Sequence, residues 1–178
     1  MFPYLPLIMV IDCGNFLLRP LLDSDRENLA KYGNNKKIWR NMRDIFPHPY
    51  SLHDADKMIE RVNGSTTVFC IEYGKECVGV IGCFPQTDVY CKTAELGYWL
   101  AEPFWSNGIM SVAVKKITDH IFKHFDIVRI YAGVFEWNPA SMKVLENCGF
   151  KYEGIAQKAV YKDGELIDEY RYGLIKES

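Results

Sequence analysis

The sequence predicts an α+β domain: a central mixed sheet of about six or seven strands, mostly antiparallel with one parallel pair in the middle, and helices on both faces. Three observations predict it. Runs of β-branched and aromatic residues such as Ser65–Tyr73 and Glu76–Phe84 meet across a short Gly74-Lys75 turn, which makes them hairpin partners. A second such pair, Lys151–Tyr161 and Glu165–Ile175, closes the chain around Lys162-Asp163-Gly164. Between the two hairpins lies a strand, a long amphipathic helix and another strand, a crossover that makes its two strands parallel.

Taken in order, Asn15–Leu21 reads as a first strand closed by Pro20. Asp23 or Ser24 caps a helix through about Gly33, and a second helical region is expected around Asn35–Arg43. Pro47 and Pro49 make the segment Asp44–Tyr50 irregular. Ser51 caps the next helix, which places Ala55, Met58, Ile59 and Val62 on one side. After the first hairpin, Lys92–Ala101 alternates as a strand and stops at Glu102-Pro103. From about Gly108 to Phe125, the recurrence of Met110, Val114, Ile117, Ile121 and Phe125 predicts a helix. Ile127–Phe135 returns as a strand, and Asn138-Pro139 opens a helix that runs to Asn147 and stops at Gly149. Residues 1–14 are read as an N-terminal extension, with Met9 as an alternative start, and residues 15–178 as one domain.

Composition narrows the class. Hydrophobic residues at 48% and charged residues at 25% are those of a soluble globular chain. A net charge of −2 argues against a nucleic-acid platform. The apolar start, Met1 to Ile11, is broken by Pro3 and Pro6, lacks a basic flank and is too short to span a bilayer, so neither signal peptide nor membrane anchor is expected. The six cysteines form no Cys-x-x-Cys pair, and read as small buried hydrophobes in a reducing cytoplasm. His120 and His124 have the spacing of a helical metal pair, but no third ligand accompanies them. They are read as solvent-facing, and no metal is expected.

The stretch from Ala94 to Met110 carries the chemistry. A strand that passes through Ser106-Asn107-Gly108 into a helix leaves backbone N–H groups of Asn107, Gly108, Ile109, Met110 and Ser111 pointing outward at the positive end of a helix dipole. That arrangement binds phosphate, although the same residues also make an ordinary turn capped by Ser106 or Asn107. No Lys or Arg lies between Ala94 and Val114, so amides and dipole would carry the binding. Neither a Gly-x-Gly dinucleotide fingerprint nor a nucleoside-triphosphate loop is present.

With these residues in place, the chain resembles the GNAT superfamily of acyl-CoA N-acyltransferases, and within it the ribosomal-protein N-terminal acetyltransferases and related small-amine enzymes. The resemblance runs from about Asn15 to Lys176. Its most specific parts are Ala94–Met110 with the following helix, and the stretch Asn138–Phe150. Arg19-Pro20-Leu21 and the Phe46-Pro47 loop are also similar to that branch. The family's pyrophosphate loop, Gln/Arg-x-x-Gly-x-Gly/Ala, is represented by Trp105, Gly108 and Met110, so only Gly108 is retained. Leu145 stands where many relatives carry a tyrosine that acts as acid toward the departing thiolate.

The resemblance implies that the parallel strands splay apart and take the pantetheine arm of acetyl-CoA along Tyr98, Trp99 and Leu100, with an amide near Leu100 facing the thioester oxygen. A preset N–H donor at that point is the usual way to stabilise the oxyanion of acyl transfer. The resemblance further implies that Asn138 bonds the pantetheine amide, that Ser141 meets the sulfur, and that Glu95 is the general base. Asn138 also suits a helix N-cap, and Glu95 also suits a solvated edge. Lys143 is assigned to the cofactor. Phe46, Pro47 and Tyr50, on the proline-bearing loop, are candidates to wall an acceptor cleft. Glu165, Asp168 and Glu169 are either an attraction for a cationic amine or a solvated cluster.

The expectation is therefore a cytoplasmic, acetyl-CoA-dependent N-acetyltransferase acting on a primary amine, monomeric or homodimeric, without metal, nucleic-acid or membrane partners. Two other classes share the same fold. One is a CoA-binding sensor without turnover, the other a protein-interaction domain that binds no CoA.

Overall fold

Hairpin turns and one helical crossover fix the topology. The computed structural model describes residues 9–177. Its strands are β1 (Ile11–Asp12), β2 (Leu17–Arg19), β3 (Val68–Tyr73), β4 (Glu76–Pro85), β5 (Thr93–Leu100), β6 (Arg129–Phe135), β7 (Lys151–Lys162) and β8 (Glu165–Ile175). Its helices are α1 (Arg26–Gly33), α2 (Lys36–Trp39), α3 (Leu52–Val62), α4 (Ile109–His124) and α5 (Pro139–Asn147). The strands form one 8-stranded sheet in the order β1-β2-β3-β4-β5-β6-β8-β7. Every neighbouring pair is antiparallel except β5–β6, which the α4 crossover makes parallel.

Two apolar clusters cover the two faces. On one face α4 and α5 press Ile109, Ala113, Val114, Ile117, Ile121 and Leu145 against Leu96, Ile130, Ala132 and Val134. On the other, Leu29 of α1, Ile38 of α2, and Ala55, Ile59 and Val62 of α3 pack on Cys70, Cys77, Val80 and Trp99. The alternation within β6 shows the division. Ile130, Ala132 and Val134 enter the first cluster, whereas Tyr131 and Gly133 turn to the opposite face.

A buried ion pair bolts β2 to the start of α1. Arg19 Nη1 and Nη2 donate to Asp25 Oδ2 and Oδ1 at 2.7 and 2.8 Å, and Nε donates to Glu72 Oε2 at 2.5 Å. Asp25, Cys70 and Cys77 bring one oxygen and two sulfurs within 4.8 Å of one another. Both carboxylate oxygens are held by Arg19, which makes this cluster part of the scaffold.

The structure corrects several expectations. The sheet has one or two strands more than expected because Ile11–Asp12 pairs with β2, too short a run to carry a pattern of its own. Cys13, beside that strand, is part of the core. Residues 1–8 of the expected extension lie outside the described residues. The helical region expected over Asn35–Arg43 is helical only through Lys36–Trp39. His120 is buried rather than solvent-facing, with Nε2 3.3 Å from the Thr66 carbonyl and its ring edge-on to Phe69. Burial lowers its pKa, which favours the neutral imidazole. Among the described residues no helix is long and apolar enough to cross a membrane.

Candidate active site

The parallel pair does not stay paired. β5 and β6 match through Thr93–Arg129, Ala94–Ile130 and Glu95–Tyr131, and then diverge. Backbone alternation decides which groups face the gap. Thr93 and Ala101 direct theirs to the β4 side: Gln86 N–H donates to the Thr93 carbonyl and Ala101 N–H to the Val78 carbonyl, both at 2.8 Å. With no register break between β4 and β5, the backbone groups of Leu96, Tyr98 and Leu100 turn to the open edge. The Leu100 carbonyl is taken by the Trp105 indole N–H at 2.6 Å, which leaves the Leu100 N–H as the free donor there. Trp105, one of the two departures from the family's loop pattern, thus ties the loop to the end of β5.

At one end of the gap stands the start of α4. Gly108 is its N-cap, left-handed at φ 74°, and no side chain caps the helix. The expected caps, Ser106 and Asn107, do not act as such. Ser106 is itself left-handed at φ 62°. The first-turn amides of Ile109, Met110 and Ser111 have no intrahelical partner, and a Cβ at Gly108 would meet nothing within 4 Å. The open, uncapped helix start thus presents unpaired donors with open space before them, the arrangement that suits a phosphate group.

A single cleft of about 670 Å³ joins this helix start, the gap and a region beyond it. Of the residues expected to hold a cofactor, Tyr98, Trp99, Leu100, Gly108, Ile109, Met110, Ser111, Asn138 and Lys143 line it, and Asn107 does not. Glu95 and Ser141 line it as well. Asn138 Oδ1 accepts from the Ser141 N–H at 3.2 Å, so the side chain caps α5 through its oxygen and keeps its NH2 for a ligand. Ser141 Oγ lies 2.8 Å from the Tyr98 hydroxyl, a contact that no sequence pattern announces. Burial pushes the Tyr98 phenol well above its ordinary pKa. Burial also raises the half-buried Cys148 thiol, whose Sγ donates to the Ser111 carbonyl at 3.3 Å, so it is kept neutral and poorly nucleophilic.

The far end of the cleft is built differently from expectation. Phe46 and Tyr50 are core residues, stacked at 4.7 Å between centroids, with Phe46 against Trp99. Neither they nor Pro47 reach the cleft. Its wall there is Ile38 of α2, Asn41, Met42 and Arg43 from the segment after it, and Glu169 of β8. Arg43 sits 3.7 Å from Glu95, and Arg171 Nε is 3.1 Å from Glu169 Oε2. Tyr131 lies among these charges. Its phenol pKa is raised, first by burial and then by Glu95, with Arg43 and Arg171 opposing. Glu169 reaches the cleft because Gly133 has no side chain: a Cβ there would stand 2.6 Å from Glu169 Oε1.

The turn between β7 and β8 holds this wall in place. Lys162 is buried, its Nζ 2.6 Å from Asp44 Oδ1 and 3.9 Å from the Trp39 ring centroid. Lys36–Asp163 at 3.7 Å and Arg40–Glu165 at 3.8 Å join the same two segments. Glu165 therefore serves the latch, and the Asp168 carboxylate accepts from the Lys158 N–H at 2.7 Å.

Comparison with known proteins agrees with this geometry. Residues 15–151 match the acetyltransferase (GNAT) domain family. The N-acetyltransferase p20 of Bacillus licheniformis is 31% identical over 89% of this chain and 92% of its own. Among solved structures, a RimL ribosomal L7/L12 α-N-protein acetyltransferase in complex with coenzyme A superposes with a TM-score of 0.82 at 25% identity, covering 94% of this chain and 98% of that one. The microcin C7 self-immunity acetyltransferase MccE, in complex with acetyl-CoA and AMP, gives 0.77 at 26% identity over 91% and 93% of the two chains. The chain belongs to the GNAT acetyltransferases, and its enzymatic class is that of an N-acetyltransferase.

Proposed function

We propose that this protein moves the acetyl group of acetyl-CoA to a primary amine, either a protein N-terminus or a small-molecule amine, by direct attack within a ternary complex in the cytoplasm. The observation that carries the reading is the divergence of β5 from β6 beside an uncapped helix start, within one continuous cleft. The pyrophosphate is assigned to the amides of Gly108–Ser111, with Lys143 nearby for a further phosphate. The pantetheine arm is assigned to the open edge of β5 at Tyr98 and Leu100, and to the Asn138 side chain.

The thioester then lies between Leu100 and Ser141. The amine nitrogen enters past Met42 and Arg43 and attacks the carbonyl carbon. Its excess proton leaves toward Glu95 along water. The Leu100 N–H receives the oxyanion. The carbon–sulfur bond breaks with its electron pair on sulfur, beside the Ser141 hydroxyl. No covalent enzyme intermediate is needed, and the neutral Cys148 gives no support to one.

A turnover screen of α-amine peptides, polyamines and amino acids, with acetyl-CoA and detection of the released thiol, tests the reading. Amine-dependent thiol release supports it. CoA binding without acetyl loss across the panel would make the protein a sensor, and absence of CoA binding would make it an interaction domain.

A further inference from the structure

The leaving thiolate needs a partner, and α5 offers no phenol: Leu145 is fully buried in the core. A phenol comes instead from the opposite wall of the cleft. Tyr98 rises from β5 toward α5, and its hydroxyl meets Ser141 Oγ at 2.8 Å across 43 positions of sequence. Among the described residues this is the hydrogen-bond partner of the serine oxygen.

We infer that Tyr98 is a positioning residue for thiolate departure: its phenol donates to Ser141 Oγ and so turns the serine proton toward the sulfur. The inference rests on the proposed acetyl transfer. A phenol is a stronger acid than an aliphatic alcohol and hence the better donor of the pair. Once Ser141 Oγ accepts, its own proton has the cleft as its direction. A serine free to rotate would spend part of its time bonded to the Asn138 or Trp137 carbonyl, three and four residues back, as serines in helices do. Tyr98 removes that alternative.

Tyr98 does not itself give up a proton. Burial disfavours the charged phenolate, so the ring stays neutral through the reaction. In balance, the carbon–nitrogen bond forms and the amine proton leaves toward Glu95 or water. The carbon–sulfur bond breaks, and the sulfur keeps the electron pair as a thiolate bonded to the Ser141 hydroxyl. Polarisation by the Tyr98 donor strengthens that bond, because hydrogen bonds in a chain reinforce one another. The charged and titratable groups nearby are few: Cys148 is neutral, and Glu95 lies on the other face of β5.

The test is a double-mutant cycle on thiol release, using the amine that turns over best with the parent protein. Tyr98→Phe keeps the ring and removes one oxygen, so packing is preserved. It should lower kcat about tenfold, the factor that one hydrogen bond near the upper end of the usual range supplies, while KM for acetyl-CoA stays within about twofold. In a Ser141→Ala background the same change should alter kcat by less than about twofold, because its target is gone. A tenfold loss in both backgrounds, a loss seen only in KM, or no loss at all would overturn the inference. Absence of thiol release by the parent protein with every amine would refute the acetyl-transfer reading, and the inference with it.

Discussion

Gly108→Asp separates cofactor binding from folding. Most substitutions at a left-handed N-cap confound the two, since an L-residue at positive φ costs about 1–2 kcal/mol. Asp suffers less than most, because its short polar side chain tolerates that conformation. It also brings two compensations to a helix whose start has no side-chain cap. Relative to the glycine already at that cap, a capping carboxylate gains about a few tenths of a kcal/mol, and a negative charge in the first turn about 0.3–1 kcal/mol. No protein atom lies within 4 Å of a Cβ built at Gly108, so no clash offsets these terms. Stability should thus change by no more than about 1 kcal/mol in either direction, or roughly 2–4 °C in Tm for a chain of this size.

CoA affinity should collapse. A carboxylate about 4 Å from one pyrophosphate charge is repelled by about 1 kcal/mol at the dielectric of water and about 4 kcal/mol at the effective value near a protein surface. Those limits correspond to losses of roughly fivefold to a thousandfold. A cap that occupies the first-turn amides removes the same donors from the phosphate, and adds to the loss. Calorimetric titration of CoA into parent and variant, with thermal melts of both, reads the two quantities separately. A folded Gly108→Asp protein with the parent's CoA affinity would refute placement of the pyrophosphate at α4.

Three further outcomes follow from the site and the core. Ser141→Ala should lower kcat more than it raises KM for acetyl-CoA, and a kcat within about twofold of the parent would deny the serine any role at the sulfur. Glu95→Gln should cost most where the acceptor amine is protonated and recover as pH rises. An α-amine with pKa near 8 leaves about a tenth neutral at pH 7, whereas a lysine-like amine near 10.4 leaves about one in a few thousand, so the loss should be larger for the second kind. Parallel rate profiles for the two proteins from pH 6 to 10 would leave proton removal to water. Asp25→Ala strands Arg19, whose side chain is 13% exposed, and breaking such a pair costs about 3–5 kcal/mol. Tm should fall by roughly 10 °C, and a fall under about 2 °C would show that Arg19 finds adequate partners in Glu72 and water.

Much of the scaffold was legible because short-range rules govern it. The turns at Gly74-Lys75 and Asp163-Gly164 set two hairpins, and the strand–helix–strand run from Thr93 to Phe135 set the parallel pair. The helix start near Gly108 was legible too, from a small-residue turn ahead of an amphipathic run, although the cap falls on Gly108 and not on Ser106 or Asn107. What escaped depends on where distant segments meet. Tyr98 and Ser141 touch only because the face of β5 that carries Leu96 packs under α5. Glu169 enters the cleft by lying across Gly133, a relation between two strands that neither reveals alone. The proline-bearing loop was recognisable as irregular, but not its direction. Phe46 turns inward onto Trp99 and Tyr50 stacks on Phe46, which hands the cleft wall to Met42 and Arg43. His120 sits on the apolar face of α4 between Ile117 and Ile121, so periodicity places it inside, whereas the lack of a third metal ligand, on which the solvent-facing reading rests, says nothing of burial.

Where the cofactor's sulfur lies decides the proposed chemistry, and a crystal structure of the protein with CoA measures that directly. The expected result is the pyrophosphate on the amides of Ile109, Met110 and Ser111, pantetheine hydrogen bonds to the open edge of β5 at Tyr98 and Leu100, and the sulfur within hydrogen-bond reach of Ser141 Oγ. A CoA anchored away from the α4 start, or a sulfur turned from Ser141 toward Cys148, would contradict it.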